Sequence, residues 1–397
     1  MVLEALRVML CSMGGGSYTL SFYLASGPLS IRVVEGVVEV LGFPVRVGST
    51  IVIPLGRSVS VKVSGSLSAS DLSKLKPLDA SVYNVFDSIA GELSAYERIL
   101  LVGPTDSGKS TLAAWISNKV ALRGSTAYYL TTDVGQNEVF CPGFEALAKT
   151  SPPVVPGYSG SFTDIKPCFV GSFAPSDSTE RYISCASRLA RMAEGPLVID
   201  TDGWVSGEGV RVKVRLAEEV GADVIVAIGL GDDAMKYLEN VKAKVVRLPK
   251  LVEGRGKTFE ERRVHRERLI TLRLLGARQV KVKVDEVEVE GAPIFKGNPL
   301  EYNIVKSINP KLVYAEQQEG VLVAVYKGVT PPSLDGVLIP LDWEKNLLAA
   351  VHCNNQVRPA VIERIDYKTR SIVLYTTCNE RIERIEVGRV RVNISKP

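Results

Sequence analysis

Only two histidines, His265 and His352, occur in 397 residues. That scarcity argues against a histidine-ligated metal centre and against a Ser/His/Asp triad. Cysteine is sparse as well, with six residues at positions 11, 141, 168, 185, 353 and 378 and no CxxC pair. Neither a zinc site nor a disulfide framework is indicated, and reduced, mostly buried thiols are expected. No apolar run approaches the ~18 residues of a membrane helix. The opening segment MVLEALRVML carries Glu4 and Arg7, so no signal peptide is read and a cytosolic location is expected. Net charge is only +4, with 46% apolar and 23% charged residues, the composition of a globular protein with room for two or three domains.

What the sequence does contain is RILLVGPTDSGKST at 98 to 111, a short apolar strand running into the phosphate-loop pattern GxxxxGK[ST]. Such a loop aims backbone N–H groups at the phosphates of a nucleoside triphosphate. Lys109 then reaches the β and γ phosphates and the Ser110 hydroxyl ligates Mg²⁺. The nucleotide is therefore assigned to Gly103, Pro104, Thr105, Asp106, Ser107, Gly108, Lys109, Ser110 and Thr111. STLAAWISNKVALRG follows as an amphipathic helix closed by Gly124. The chain lacks the NKxD motif of GTPases and the LSGGQ-like signature of transporter ATPases. Phosphate transfer to a bound acceptor is thus favoured over a switch or a motor.

Periodicity divides the chain into three regions. Residues 1 to 85 alternate apolar and polar positions in short runs, reading as a small antiparallel β domain. From 86 to 280, apolar runs such as ILLVG, PLVID and DVIVAIG alternate with helical segments, as parallel strands of an α/β core should. Residues 281 to 397 return to strands, and neither a repeat nor a low-complexity linker appears. The expected fold is α/β, a P-loop NTPase core with a parallel sheet flanked by small N-terminal and C-terminal β domains.

A kinase needs a group to take the acceptor's proton and an arginine-bearing lid. Asp133 and Gln136 follow the strand TAYYLTTD, where α/β ligand sites form. Asp133 is placed to be a Mg²⁺-associated acid, a general base, or a simple turn cap before Gly135. Thr201, Asp202 and Trp204 follow Asp200 at a second strand end, and Trp204 reads equally as core or as a stacking platform for an acceptor base. The segment 242 to 283 holds 14 Lys or Arg against four Glu, which points to an anionic partner.

Taken together, GPTDSGKST at 103 to 111, DVGQ at 133 to 136, CPG at 141 to 143, VGSFAPSDSTERY at 170 to 182, TDGWVSGEG at 201 to 209, LPK at 248 to 250 and the arginine-rich stretch 262 to 273 resemble the polynucleotide 5′-hydroxyl kinases. That family includes the kinases of pre-mRNA cleavage and ribosomal RNA processing and their archaeal relatives. The resemblance implies transfer of the γ-phosphate of ATP or another nucleoside triphosphate to the 5′-hydroxyl of RNA or DNA, with Mg²⁺, RNA-processing protein partners and no membrane. It gives Asp133 the role of activating the 5′-hydroxyl, beside Ser110 at the metal, and puts Gln136 near the metal. Ser172, Pro175 and Ser176 fall in a clasp on the acceptor end, Thr201 lies beside it, and Trp204 stacks on the terminal base. Lys257, Arg262 and Arg266 fall on the lid pattern R-x₄-R-x₃-R within residues 250 to 275. Lys257 departs from that pattern, a two-residue slip offers Arg255, and a lysine lacks the bidentate grip of a guanidinium. Asp200 stands where asparagine is common and Ser206 where lysine is common. The rival reading is a scaffold subunit in which bound ATP is structural; a small-metabolite kinase would more naturally be a compact single domain.

Overall fold

The computed structural model describes residues 13–14, 17–250, 256 and 258–393. The chain divides into two compact units, one formed by residues 1–168 and 179–259 and the other by 169–178 and 260–397.

The first unit is built on a seven-stranded sheet. Its elements in chain order are β1 (Arg98–Val102), α2 (Lys109–Leu122), β2 (Tyr128–Thr131), β3 (Phe144–Thr150), β4 (Phe162–Phe169), α3 (Thr179–Ala190), β5 (Leu197–Asp200), α4 (Glu208–Val220), β6 (Val224–Ile228), α5 (Asp232–Leu238) and β7 (Lys244–Leu248), preceded by α1 (Ala80–Leu93). Strand order is β4-β3-β2-β5-β1-β6-β7. The run from β2 to β7 is parallel, and β3 pairs antiparallel with β2. The central strands are apolar along their whole length because helices cover both faces of such a sheet; every residue from Ile99 to Val102 and from Val224 to Ile228 is buried. Register sets Thr131, Asp200 and Leu101 abreast, so three strands end together. That shared edge is where the loops after β1, β2 and β5 meet.

A six-stranded antiparallel sheet spans residues 21–77 of the same unit, with the long strands Leu29–Val40 and Ser58–Ala69 at its centre. Its alternating burial buries one face. An aromatic chain joins the other face to the helices: Phe22, in register with Lys62, packs on Tyr83 of α1, and Tyr83 on Trp115 of α2, each at 5.1 Å between ring centroids. Asn118 adds a polar clamp, donating to the carbonyls of Val40, Leu41 and Val154 and accepting from the Val154 N–H. Helix α2 is accordingly covered on most sides, with Leu112 to Asn118 all buried, where its sequence reads as amphipathic. The residues that cover its second face lie more than 75 positions upstream, beyond the reach of local periodicity.

The second unit holds two sheets. Six strands, ordered Arg278–Lys283, Ser371–Thr376, Gln356–Asp366, Leu347–Cys353, Arg384–Arg391 and Glu288–Glu290, form the larger one, and four strands between Asn298 and Pro340 form the smaller. Helix α6 (Phe259–Arg273) leads into the first strand.

Four cysteines correct the expectation of reduced thiols. Cys168 and Cys185 form one disulfide and Cys353 and Cys378 another, with Cα atoms 5.7 and 6.7 Å apart, separations a disulfide spans. The end of β4 meets the middle of α3 in the first pair, a juxtaposition that spacing along the chain does not reveal. Cys141 is buried and free, Cys11 lies outside the described residues, and no metal-binding group of acidic, cysteine or histidine side chains occurs among the described residues. No described helix is long and apolar enough to cross a membrane.

Candidate phosphotransfer site

The loop after β1 turns tightly because two of its glycines have no substitute. A Cβ on Gly103 would stand 2.5 Å from the Ile228 carbonyl oxygen, and Gly108 begins α2 at φ +99°, a left-handed conformation. The turn leaves the N-terminus of α2 facing a cavity of about 250 Å³ lined by residues 105–111 together with Tyr129, Thr131, Asp133, Gln136, Asp200 and Thr201. Helix N-termini carry unpaired N–H groups and partial positive charge, so the cavity favours an anion. Lys109 is buried beside it and donates to the carbonyls of Gly103 and Pro104 at 2.7 and 2.8 Å. Burial pulls its pKa below the usual lysine value, against the carboxylates of Asp200, Asp133 and Asp202. Phosphate charge would restore what burial removes.

Asp200 closes β5 with its carboxylate inside the cavity wall. Oδ2 accepts from Ser110 Oγ at 2.7 Å and from Tyr129 OH at 2.9 Å, whereas Oδ1 is buried without a protein partner. Burial raises its pKa, opposed by Lys109 and the two hydroxyl donors. An orphan carboxylate oxygen next to a phosphate-loop hydroxyl fits the hard-oxygen environment of Mg²⁺, which keeps several of its waters and takes one or two carboxylates. Ser110 and Asp200 are thus residues that could hold Mg²⁺. The signal for Asp200 was its position at a strand end, which the sequence shows.

Asp133 is half-buried after β2. Its Oδ1 accepts from the N–H groups of Gly135 and Gln136, both at 3.0 Å, so the carboxylate caps its own turn while it lines the cavity. Burial first, then the nearby Asp202 and Asp200, raise its pKa to about 6, against Lys109 and the Gln136 N–H. A carboxyl poised there can accept a proton near neutral pH. Thr201 is buried and donates to the Leu101 carbonyl at 2.8 Å, fixing β5 to β1. Trp204 is half-buried and is not among the residues lining the cavity.

The structure also brings residues that the sequence did not single out. Gly56, Arg57 and Ser58, from the sheet at 21–77, line the cavity, as does Glu138. Arg57 and Glu138 form a bidentate pair with N–O distances of 3.1 and 2.6 Å. No local motif announces a wall supplied by a distant turn.

Ser172, Pro175, Ser176, Arg262 and Arg266 lie in the second unit. Ser172 is buried and donates to Asp177 at 2.7 Å, Pro175 is buried at the start of the turn Pro175–Asp177, and Ser176 donates to Asp177 at 3.2 Å on the surface. Arg389 holds this segment through the carbonyl of Asp177. Arg262 and Arg266 share one face of α6 with the buried Ile270, and the Arg266 guanidinium lies 4.6 Å from the ring centroid of Phe173. Lys257 and Arg255 fall outside the described residues.

Residues 103–272 match the family described as mRNA cleavage and polyadenylation factor CLP1 P-loop. The chain is 25% identical to a polyribonucleotide 5′-hydroxyl-kinase of Pyrococcus furiosus, over 74% of this chain and 87% of that protein. A namesake from Methanocaldococcus jannaschii is 24% identical over 75% and 87%, and one from Thermococcus kodakarensis is 30% identical over 51% and 58%. A solved structure of the interface between Pcf11p and Clp1p shares the fold, with a TM-score of 0.61 at 12% identity over 95% of this chain and 100% of that one. Over residues 103 to 272 the chain is thus similar to the CLP1-type P-loop domain, and over about three-quarters of its length to archaeal proteins named polyribonucleotide 5′-hydroxyl-kinase.

Proposed function

We propose that this protein transfers the γ-phosphate of ATP to the 5′-hydroxyl end of RNA. The observation that carries the reading is the convergence, at three adjacent strand ends, of the phosphate loop, Asp200 and the half-buried Asp133 on one cavity. Relatives named for that activity support the acceptor class.

In this reading the backbone of residues 103–108 and Lys109 hold the triphosphate, and the turn at Gly56, Arg57 and Ser58 meets the nucleoside end. Ser110 and Asp200 would hold Mg²⁺, with Asp133 close by. The bound ion supplies charge neutralisation on the β and γ phosphate oxygens. Asp133 takes the proton of the attacking 5′-hydroxyl, and Gln136 orients the groups around it. Arg262 and Arg266, with Lys257 or Arg255, bring further positive charge to the transferred group, while Ser176 and Trp204 grip the acceptor end. Phosphoryl transfer asks for little covalent work from the protein, so positioning and charge account for the rate. RNA-processing proteins as partners belong to the same reading.

The test is transfer from γ-labelled ATP, with Mg²⁺, to a 5′-hydroxyl oligoribonucleotide and its DNA counterpart, beside Lys109→Ala and a 5′-phosphorylated control. Label on the 5′-hydroxyl strands alone, lost with Lys109→Ala, is the expected result and gives the sugar preference. Tight ATP binding with no label on either strand would replace the kinase by an ATP-bound scaffold.

A further inference from the structure

Trp204 owes its setting to a single face of α4. Gly209 and Lys213 stand four residues apart on that helix and so project side by side. Gly209 is buried against the indole: a Cβ there would lie 2.7 Å from both Cγ and Cδ1 of Trp204 and 2.6 Å from its carbonyl oxygen. No side chain can occupy position 209 while the indole stays where it is. Lys213, with no exposed surface, forms an ion pair with Oδ2 of Asp202 and donates to Tyr182 OH at 2.9 Å. Tyr182 OH also donates to Asp202 Oδ2 at 3.0 Å and meets Thr132 Oγ1 at 2.9 Å. The other carboxylate oxygen of Asp202 accepts from the Trp204 N–H at 2.8 Å.

The chain of contacts thus runs from α4 through Asp202 to the backbone of Trp204, and through Tyr182 to the residue before Asp133. A buried lysine–carboxylate pair costs desolvation that well-packed apolar side chains would avoid, so its retention points to a demand on geometry. The geometry here is that of a half-buried aromatic residue whose ring lies against a glycine and whose backbone N–H is held by an ion-paired carboxylate.

We propose that Gly209, directly against the ring, and Lys213 and Tyr182, through Asp202, are positioning residues that hold Trp204 in the orientation that grips the terminal nucleotide of the acceptor strand. The inference rests on the stacking role given to Trp204 in the proposed function. None of the three touches substrate; they act on it through the ring.

Steady-state kinetics with MgATP and a 5′-hydroxyl oligoribonucleotide test it. Trp204→Ala raises the acceptor KM by about 5- to 150-fold, the range of base–aromatic stacking, and Gly209→Ala does the same with the KM for ATP unchanged. Gly209→Ala added to Trp204→Ala produces no further rise, because the residue being positioned is already gone. Asp202→Asn combined with Lys213→Met removes both buried charges together and keeps the test open should Gly209→Ala fail to fold; it raises the acceptor KM and spares that for ATP. A Trp204→Ala protein with an unchanged acceptor KM would sink the stacking role itself. With Trp204→Ala defective, an unchanged acceptor KM in the other variants, additive effects in the combination, or a parallel rise in the KM for ATP would overturn the positioning role alone.

Discussion

Asp200 and Asp202 sit two residues apart at the end of one strand, yet they keep opposite company. Asp200 is satisfied on one oxygen by two hydroxyls, Ser110 and Tyr129, and its other oxygen is buried without a protein partner. Asp202 has both oxygens engaged, one by Lys213 and Tyr182 and the other by the Trp204 N–H. A lysine neutralises a carboxylate outright, and such a carboxylate is fixed in place. Hydroxyl donors stabilise one without cancelling its charge, and an orphan oxygen then suits a cation brought with the nucleotide. The strand end therefore sets a carboxylate with one unpartnered oxygen two residues from a carboxylate tied into the protein's own loop.

Losses of chemistry should be distinguishable from losses of support. The largest loss lies outside both networks and defines the chemical signature: Arg262→Ala and Arg266→Ala each lower kcat by about 10³- to 10⁵-fold. ATP affinity, measured by calorimetry, stays close to wild type; normal turnover in either variant removes that arginine from the lid. Next comes Asp133→Asn, expected to lower kcat by about 10²- to 10⁴-fold with nucleotide still bound. The Asp133 carboxyl is held protonated up to about pH 6 by burial and by Asp202 and Asp200. Its base form therefore accumulates as pH rises, and kcat/KM should fall on acidification below about 6. An unaltered acid limb in the asparagine variant would assign that limb to another group.

Much of the cavity was legible because a phosphate loop and two strand-terminal aspartates are local patterns. GPTDSGKST carries its own turn chemistry, and Asp133 and Asp200 each follow an apolar run that reads as a buried strand. What stayed hidden depends on distance along the chain. Asn118 and Trp115 read as one face of an amphipathic helix until the sheet at 21–77 covers them. Arg57 reaches Glu138 across 81 positions, and Cys168 meets Cys185 only because β4 ends beside α3. Lys213 looks like a solvated helix residue, since charge alone does not say that Asp202 and Tyr182 wait beneath it. Periodicity tells which face of an element is buried; it does not tell what buries it.

Support is tested by Lys213→Ala, which leaves the Asp202 carboxylate buried without its counter-charge. Removing one partner of such a pair costs about 3–5 kcal/mol, read as a lower midpoint in urea unfolding. Changing Asp202→Asn and Lys213→Met together should recover most of that loss, since the double variant leaves neither member of the pair buried as a lone charge. A single variant as stable as wild type would mean that the pair is not the anchor of the loop.

The smallest effect separates the two carboxylates most cleanly. Tyr129→Phe removes one hydroxyl donor from Asp200 and nothing from Asp202. A hydrogen bond of this kind contributes about 0.5–1.5 kcal/mol net, so the protein should fold normally. Because the Tyr129 hydroxyl favours the charged form of Asp200 while burial opposes it, the variant shifts that carboxyl further toward protonation. More Mg²⁺ is then needed for half-maximal activity, by about two- to tenfold from the same energy, and the difference widens as pH falls. Tyr182→Phe, in turn, removes one donor to Asp202 and leaves Asp200 untouched. Its Mg²⁺ dependence should match wild type while the acceptor KM rises. Equal shifts in Mg²⁺ dependence for the two phenylalanine variants would show that the carboxylates act as one charge cluster rather than as two separate networks.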